Sequence, residues 1–361
     1  MRKVLAGTVS LGLGALLMLP AAGANAAPWE AQDPHPAPSQ ETSETSLRIA
    51  TIDTRISREA DGQLATDLLQ GNDRQASLAA DNITAANADV VVLTGMDANE
   101  QAVEVFQDRY LNNPDDARVD VEYDYMYLGV GSKGKPSGAD LNGDRIVGGP
   151  EDAWGQADFE GQGSVVVLSK YQITPDQVTS VSEFKWDQMP QSRLEDSGLS
   201  GALATSIPVM SSGLWDIPIE YRGKQVHLIA VQTDDNFGGY SFSESRELDQ
   251  LRVIDDYLNG EKYLRDDQSK KINGVGNAPY VVAGALGQQP STLTARDGLL
   301  KQINRPDAIS DSGNYLVPSS AWQVLGQGHI GDQEPVQAQS VDGPPQLNNP
   351  DPALIWTDVQ F

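Results

Sequence analysis

The stretch ADVVVLTGMD, residues 88–97, decides the fold. Val90, Val91, Val92 and Leu93 form an unbroken run of four apolar residues, three of them β-branched. A run this short, closed by Thr94 and Gly95, reads as a strand covered on both faces. A strand covered on both faces needs layers above and below it, so the chain must build more than one sheet face. Working towards the N-terminus, RQASLAADNITAAN (74–87) has helical spacing with Asp73 as its cap. Before it, LRIATID (47–53) alternates as a strand. Working towards the C-terminus, QAVEVFQDRYL (101–111) is helical, YDYMYLGV (123–130) alternates, a Gly-rich acidic excursion fills 129–163, and SVVVLSKYQI (164–173) is a second buried strand.

The second half continues in the same manner without repeating the first. WDIPIEY (215–221) and KQVHLIAVQT (224–233) form a strand pair about Arg222 and Gly223. SESRELDQLRVIDDYL (243–258) is a helix with Ser243 as its cap and Leu248, Leu251, Ile254 and Leu258 on one stripe. APYVVAGALG (278–287) is a further buried strand, and GNYLVPS and PALIWTDVQF close the chain, while GQGHIGDQ (326–333) reads as a Gly-rich loop. Strands dominate and helices intervene irregularly, which predicts two packed, mainly antiparallel or mixed sheets flanked by helices: an α/β (α+β) sandwich rather than a doubly wound parallel sheet. No boundary interrupts 47–361, read as one domain.

The remaining chain reads as export machinery. Arg2 and Lys3, an apolar run to Leu19 and small residues up to Ala26 predict a signal peptide over 1–26. Residues 27–46, rich in Pro, Ser, Thr and acids, read as a disordered linker, with His35 inside it. The chain has no cysteine, so it has neither disulfides nor a thiol nucleophile. No second long apolar run is present, and the expected product is a secreted, extracytoplasmic monomer without a membrane span. The formal net charge is −26, and removal of Arg2 and Lys3 takes it to −26 − 2 = −28. Such a charge opposes approach to a phosphate backbone and argues against nucleic acid as a partner.

The order and wording of these segments resemble the endonuclease/exonuclease/phosphatase superfamily, in its exported actinobacterial branch. The resemblance runs from Leu47 to the C-terminus and rests on LRIATIDTRISR, ADVVVLTGMD, GPEDAWGQADFEGQGSVVVLSKY, SSGLWDIPIEYRGKQVHLIAVQT, VVAGALGQQP and ALIWTDV taken together. It implies the four-layered deoxyribonuclease I-like sandwich, with chemistry at strand ends facing one cleft. It also implies that the catalytic set is degenerate. Asp53 stands where active relatives end the first strand with asparagine, and Gly95 where they carry a metal-binding glutamate. Gln232 stands in the place of a histidine acid/base, and Ala285 and Gly287 in the places of an aspartate and an asparagine. Asp351 and Pro352 match the closing aspartate and histidine. Phosphoester hydrolysis of that kind needs a carboxylate-held divalent cation and a positioned base and acid; glycine, alanine, glutamine and proline supply none of these. The expected function is therefore a secreted, catalytically inactive chain that binds a small or envelope ligand. Two other readings stay open. One is an active Mg2+-dependent phosphatase or nuclease with relocated ligands, for which Asp97, Asp234, Asp235 and His329 are the candidates. The other is a structural envelope protein.

Two further features stand apart from the cleft. In DLNGDRIVGGPE (140–151), Asp140, Asn142 and Asp144 alternate and Glu151 completes a twelve-residue span, the ligand spacing of an EF-hand-like Ca2+ loop with the Ile146 carbonyl as a further ligand. Arg145 stands at the sixth place, where that loop has its turn glycine. GVGSKGKPSG (129–138) lacks phosphate-loop spacing, but its Lys133 and Lys135 would suit a small anionic ligand. His227 is expected to be structural, and Arg246 and Arg252 to pair with surface acids.

Overall fold

The computed structural model describes residues 46–112, 121–233, 242–287, 303, 305–331 and 351–361, all within the unit Pro38–Phe361. The expected signal peptide, all of the expected linker except Ser46, and Asp234 and Asp235 lie outside the described residues. The described strands are β1 (Leu47–Asp53), β2 (Val90–Met96), β3 (Tyr125–Gly129), β4 (Ser164–Ser169), β5 (Thr179–Ser180), β6 (Gly213–Tyr221), β7 (Lys224–Gln232), β8 (Tyr280–Ala285), β9 (Ile309–Asp311), β10 (Asn314–Pro318), β11 (Gln323–Ile330) and β12 (Leu354–Gln360). The α-helices are α1 (Gln63–Leu68), α2 (Arg74–Ala86), α3 (Glu100–Phe106), α4 (Gly201–Ser206) and α5 (Ser243–Leu258).

The strands form two six-stranded mixed sheets, ordered β11-β12-β1-β2-β4-β3 and β5-β6-β7-β8-β10-β9. Each holds one parallel pair at its centre, β1 with β2 and β7 with β8. The sequence periodicity explains the stacking. Leu47 and Ile49 of β1, and Val90 and Val92 of β2, enter a core shared with Leu228, Ala230 and Ala283 of the second sheet. Their alternates Ala50, Ile52, Val91 and Leu93 enter a second core with Leu64, Ala79, Ile83 and Phe106 of the helices. Ile229, Val231 and Val282 pack with Val253, Ile254 and Tyr257 of α5 in a third. Helix, sheet, sheet, helix is the four-layered deoxyribonuclease I-like sandwich, and the buried run Val90–Leu93 is what a strand sandwiched between layers requires. No described helix is long and apolar enough to cross a membrane.

Local expectations meet the structure unevenly. Asp73 caps α2 by accepting from the Ala76 N–H at 2.8 Å. Ser243 does not cap α5: Phe242 is the capping residue and no side chain bonds there. Of the expected stripe on α5, Leu251, Ile254 and Leu258 are buried and Leu248 is half-buried. The buried face is wider than that stripe and also includes Arg246, Asp249, Gln250, Val253 and Tyr257, because polar groups with fixed partners can be buried beside apolar ones. Arg246, expected to pair with surface acids, is buried and donates to the carbonyls of Pro208, Val209, Met210 and Trp154. GQGHI is strand β11 rather than loop, because β12 supplies a full ladder to an edge strand whose glycines leave little local signal. His227 lies on β7 with its Nδ1 2.6 Å from Asp216, which also accepts from the Tyr257 hydroxyl at 2.5 Å.

Candidate functional site

In open sheets, ligand crevices form beyond the carboxyl ends of parallel strands. Here both parallel pairs end on the same side of the sandwich. Asp53 and Gly95 lie at the ends of β1 and β2, and Gln232 and Ala285 at the ends of β7 and β8, with Gly287 two residues on. Two hydrogen bonds tie the ends together across the sheets. Gln232 Nε2 donates to the Gly163 carbonyl at 3.0 Å, just before β4, and Thr94 Oγ1 donates to Asn314 Oδ1 at 3.3 Å. Gln232 Oε1 accepts from Ser212 Oγ at 3.3 Å. Asp351 and Pro352 turn to the helix layer instead. Asp351 pairs with Arg74 of α2 at 2.9 Å, and the Pro352 carbonyl accepts from Asn82 at 2.6 Å.

Gly95 is the pivot of the site. It has φ +67, the left-handed region that favours glycine. A Cβ placed on it would lie 2.4 Å from Asp53 Oδ1 and 3.0 Å from the Arg55 nitrogen. Its carbonyl accepts from the Ile56 and Ser57 N–H groups, so the segment after β1 folds across the end of β2. Asp53 is in turn held by Arg55, whose Nε donates to Oδ2 at 2.8 Å. Arg55 reaches back only two residues by adopting φ +53, an uncommon conformation for a residue with a side chain. A divalent cation of the kind the resemblance implies does not fit these residues: Gly95 has no ligand and no room for one, and the Asp53 carboxylate already has a guanidinium. Among the described residues no group of three His, Asp or Glu side chains is placed to hold a metal ion.

Asp97, a relocated-ligand candidate, is 1% exposed. It accepts from the Gly163 N–H at 2.9 Å and the Arg58 N–H at 3.1 Å, so each of its oxygens is engaged by backbone. Burial pushes its pKa above the usual carboxylate value, opposed by those two hydrogen bonds and by the charges of Arg58 and Lys133. His329 sits on β11 with Nδ1 3.3 Å from Asp311 Oδ2 of β9, an edge-to-edge contact between the sheets.

Sequence reading missed two groups at this end. Arg55 follows the first strand, but nothing in a linear pattern announces a backward turn. Lys133, read as one of two lysines suited to a small anionic ligand but not placed at this end, donates through Nζ to the Gly163 carbonyl at 3.0 Å. Lys135 points elsewhere, to Glu183.

The acidic loop is ordered by its own side chains. Asp140 accepts from the Gly143 and Arg145 N–H groups at 2.6 and 2.8 Å, Asn142 from Asp144 at 2.9 Å, and Asp144 from Ile146 at 2.7 Å. Arg145 takes φ +75, the left-handed turn that glycine makes at the sixth place of a Ca2+ loop. Glu151 is exposed. Asp152, which the twelve-residue spacing overlooked, is the loop's buried carboxylate and accepts from Leu141 at 2.6 Å and Gly148 at 2.8 Å. Burial tends to raise the Asp152 pKa, but hydrogen bonds from Leu141, Gly148 and Asn142 outweigh it and hold the group below its ordinary value.

The chain matches no protein-family model and no curated protein. Among solved structures it is similar to an endonuclease/exonuclease/phosphatase from Beutenbergia cavernae at 15% identity, over 88% of this chain and 72% of that one, with TM-score 0.46. It is similar to sphingomyelinase C from Streptomyces griseocarneus at 16% identity, over 86% and 99%, with TM-score 0.43. It is also similar to the human Nocturnin catalytic domain at 11% identity, over 88% and 94%, with TM-score 0.41. Likenesses at this level speak to no residue of the site.

Proposed function

We propose that this is a secreted, non-hydrolysing protein on a phosphoesterase-type sandwich, one that retains the strand-end groove for binding. The observation that carries this reading is the Gly95–Asp53–Arg55 arrangement. The place from which a metal-holding side chain would emerge is taken up by Asp53, and Asp53 is neutralised by Arg55. Gln232, where an acid/base would be needed, is an amide held by Gly163 and Ser212, and a carboxamide has no titratable proton with which to serve as general acid or base near neutral pH. Removing one positioned acid or base costs about 10²–10⁴ in rate, so losing metal and base together should leave no enzymatic turnover. The test is an assay of the purified mature protein on bis-nitrophenyl phosphate, nitrophenyl phosphate, DNA and sphingomyelin with Mg2+, Mn2+ and Ca2+ in turn. The expected result is background hydrolysis throughout. Turnover abolished by Asp53→Ala, or by His329→Ala with Asp311→Ala, would establish the relocated-ligand reading instead.

A second reading concerns the loop 140–152, which we propose as a weak Ca2+ site. What favours it is the turn pattern, in which each of Asp140, Asn142 and Asp144 accepts from a backbone N–H further along the loop, and Asp152 stays ionised beside them. Calorimetric titration with Ca2+ should give saturable heat at about millimolar concentration, lost in an Asp140→Ala, Asp144→Ala double variant. Identical traces for the two proteins would exclude the site.

A further inference from the structure

The end of the sandwich opposite the groove, where β1 and β7 begin, carries a row of packed rings. Tyr171, just after β4, meets Tyr221 edge to face with centroids 5.2 Å apart. Tyr221, at the end of β6, lies 6.1 Å from Phe361, and Phe361 stacks on Trp322 at 4.5 Å. Trp322 and Tyr221 are buried but Phe361 is 41% exposed, so part of the row faces water. Two cations stand over it. Lys224 Nζ is 4.0 Å from the Phe361 centroid, and the Arg222 guanidinium is 5.5 Å from the Tyr221 centroid. Both residues are exposed, and neither forms a salt bridge among the described residues. In a chain of net charge −26, an aromatic surface topped by two cations suits an acidic occupant. The chain delivers one to this place. β1 pairs with β12 antiparallel, Leu47 opposite Val359, so the residues before β1 arrive beside Phe361. Residues 38–45, PSQETSET, belong to the same compact unit as the sheets and carry Glu41 and Glu44 with no basic residue. At about 3.4 Å per extended residue, Glu44 and Glu41 can stand up to roughly 7 and 17 Å from Ser46, which is reach enough for the hairpin.

We propose that residues 38–45 form an acidic clasp on this surface. Thr45 continues the β1–β12 pairing beside Phe361, and Glu44 and Glu41 pair with Lys224 and Arg222. A β-branched side chain opposite an aromatic ring is a favourable cross-strand pair. Each exposed ion pair contributes little by itself. The covalent tether supplies the rest, because it holds the acids near their partners at about millimolar effective concentration. The clasp covers the exposed ring and joins the start of the first sheet to the β6–β7 hairpin of the second. It closes this surface to other acidic partners, and it opens as salt screens the pairs. The inference does not depend on whether the groove hydrolyses anything.

The test uses the mature full chain at low ionic strength. It reads amide hydrogen exchange over residues 41–46 and the rate of cleavage after Glu41 and Glu44 by a glutamate-specific protease. Arg222→Gln with Lys224→Gln should raise both rates at least about threefold while the melting profile stays that of the wild type. Salt at about 1 M should bring the wild-type rates up to those of that variant. Reversal of all four charges, Arg222→Glu and Lys224→Glu with Glu41→Lys and Glu44→Lys, should restore slow amide exchange, and either half alone should not. The clasp is overturned if the wild type and the glutamine variant exchange at equal rates, if salt leaves the wild type unchanged, or if the four-charge reversal fails to restore protection. Protection that grows with protein concentration would put the segment on a second copy, and that too overturns the intramolecular clasp.

Discussion

Replacing Arg48 with methionine should destabilise the protein by about 3–5 kcal/mol, the cost of stranding one member of a buried ion pair. Arg48 lies on the first strand of the first sheet and Asp358 opposite it on the last, in direct register. The guanidinium donates from Nε and Nη2 to the two carboxylate oxygens, both at 2.7 Å, and from Nη1 to the Ala86 carbonyl at the end of α2 at 2.9 Å. It also lies 4.3 Å over the Trp356 ring. The side chains are 3% and 7% exposed, so water cannot compensate either charge once its partner is gone. The pair closes β1 onto β12, joining the two ends of the described chain. Urea unfolding of Arg48→Met and of Asp358→Leu should show lower midpoints with unchanged slope. The double variant should regain much of the loss, because two apolar side chains leave no orphaned charge. A single variant within about 0.5 kcal/mol of the wild type would show that the pair does not constrain the sheet.

Gly284→Ala should be comparably damaging for a different reason. Gly284 lies in β8 with φ +128, and a Cβ there would sit 2.1 Å from the Val231 carbonyl oxygen of β7. The clashing atom is backbone in the central parallel pair of the second sheet, with no side chain to move aside. Relief requires β7 and β8 to separate, disturbing the ladder that places Gln232 beside Ala285. A loss of about 3 kcal/mol or more is expected, together with faster amide exchange along both strands. Gly223→Ala is the control: that glycine has φ +73 but nothing within 4 Å, so only conformational strain of about 1 kcal/mol applies. Equal effects from the two substitutions would mean that close approach of the strands is not what Gly284 serves.

The same glycine shows what could be read in the sequence. VVAGALG was legible as a buried strand because its apolar run is a local property, and its lack of catalytic side chains was equally plain. The run Val90–Leu93, the helix capped by Asp73 and the pair β6–β7 were legible for the same reason: each depends on spacing within about ten residues. GQGHI was not legible. An edge strand with two glycines has little intrinsic preference, and its ladder comes from β12, a partner beyond any local window. On α5 the apolar stripe was legible except at Leu248, but the burial of Arg246 and Asp249 beside it was not, because their partners lie on other segments, Arg246 on carbonyls around Pro208 and Asp249 on Trp186 and Arg193.

The candidate site divides along the same line. That residue 95 is a glycine and residue 232 an amide is a fact of sequence, visible without coordinates, because a functional group the chain lacks cannot be supplied by folding. What surrounds these two residues is a matter of long-range contact. Arg55 turns back on Asp53 only because the end of β2 offers the Gly95 carbonyl to the Ile56 and Ser57 N–H groups. Lys133 reaches the Gly163 carbonyl, 30 residues away in sequence, and Gln232 reaches the same atom from 69 residues away in the opposite sheet. Alternating hydrophobicity determines which face of each strand is buried, and so the layers, because transfer of apolar surface from water is non-directional and acts residue by residue. Pairing of charges and donors is directional and short-ranged, so it was decided only when the packed sheets brought those strand ends together.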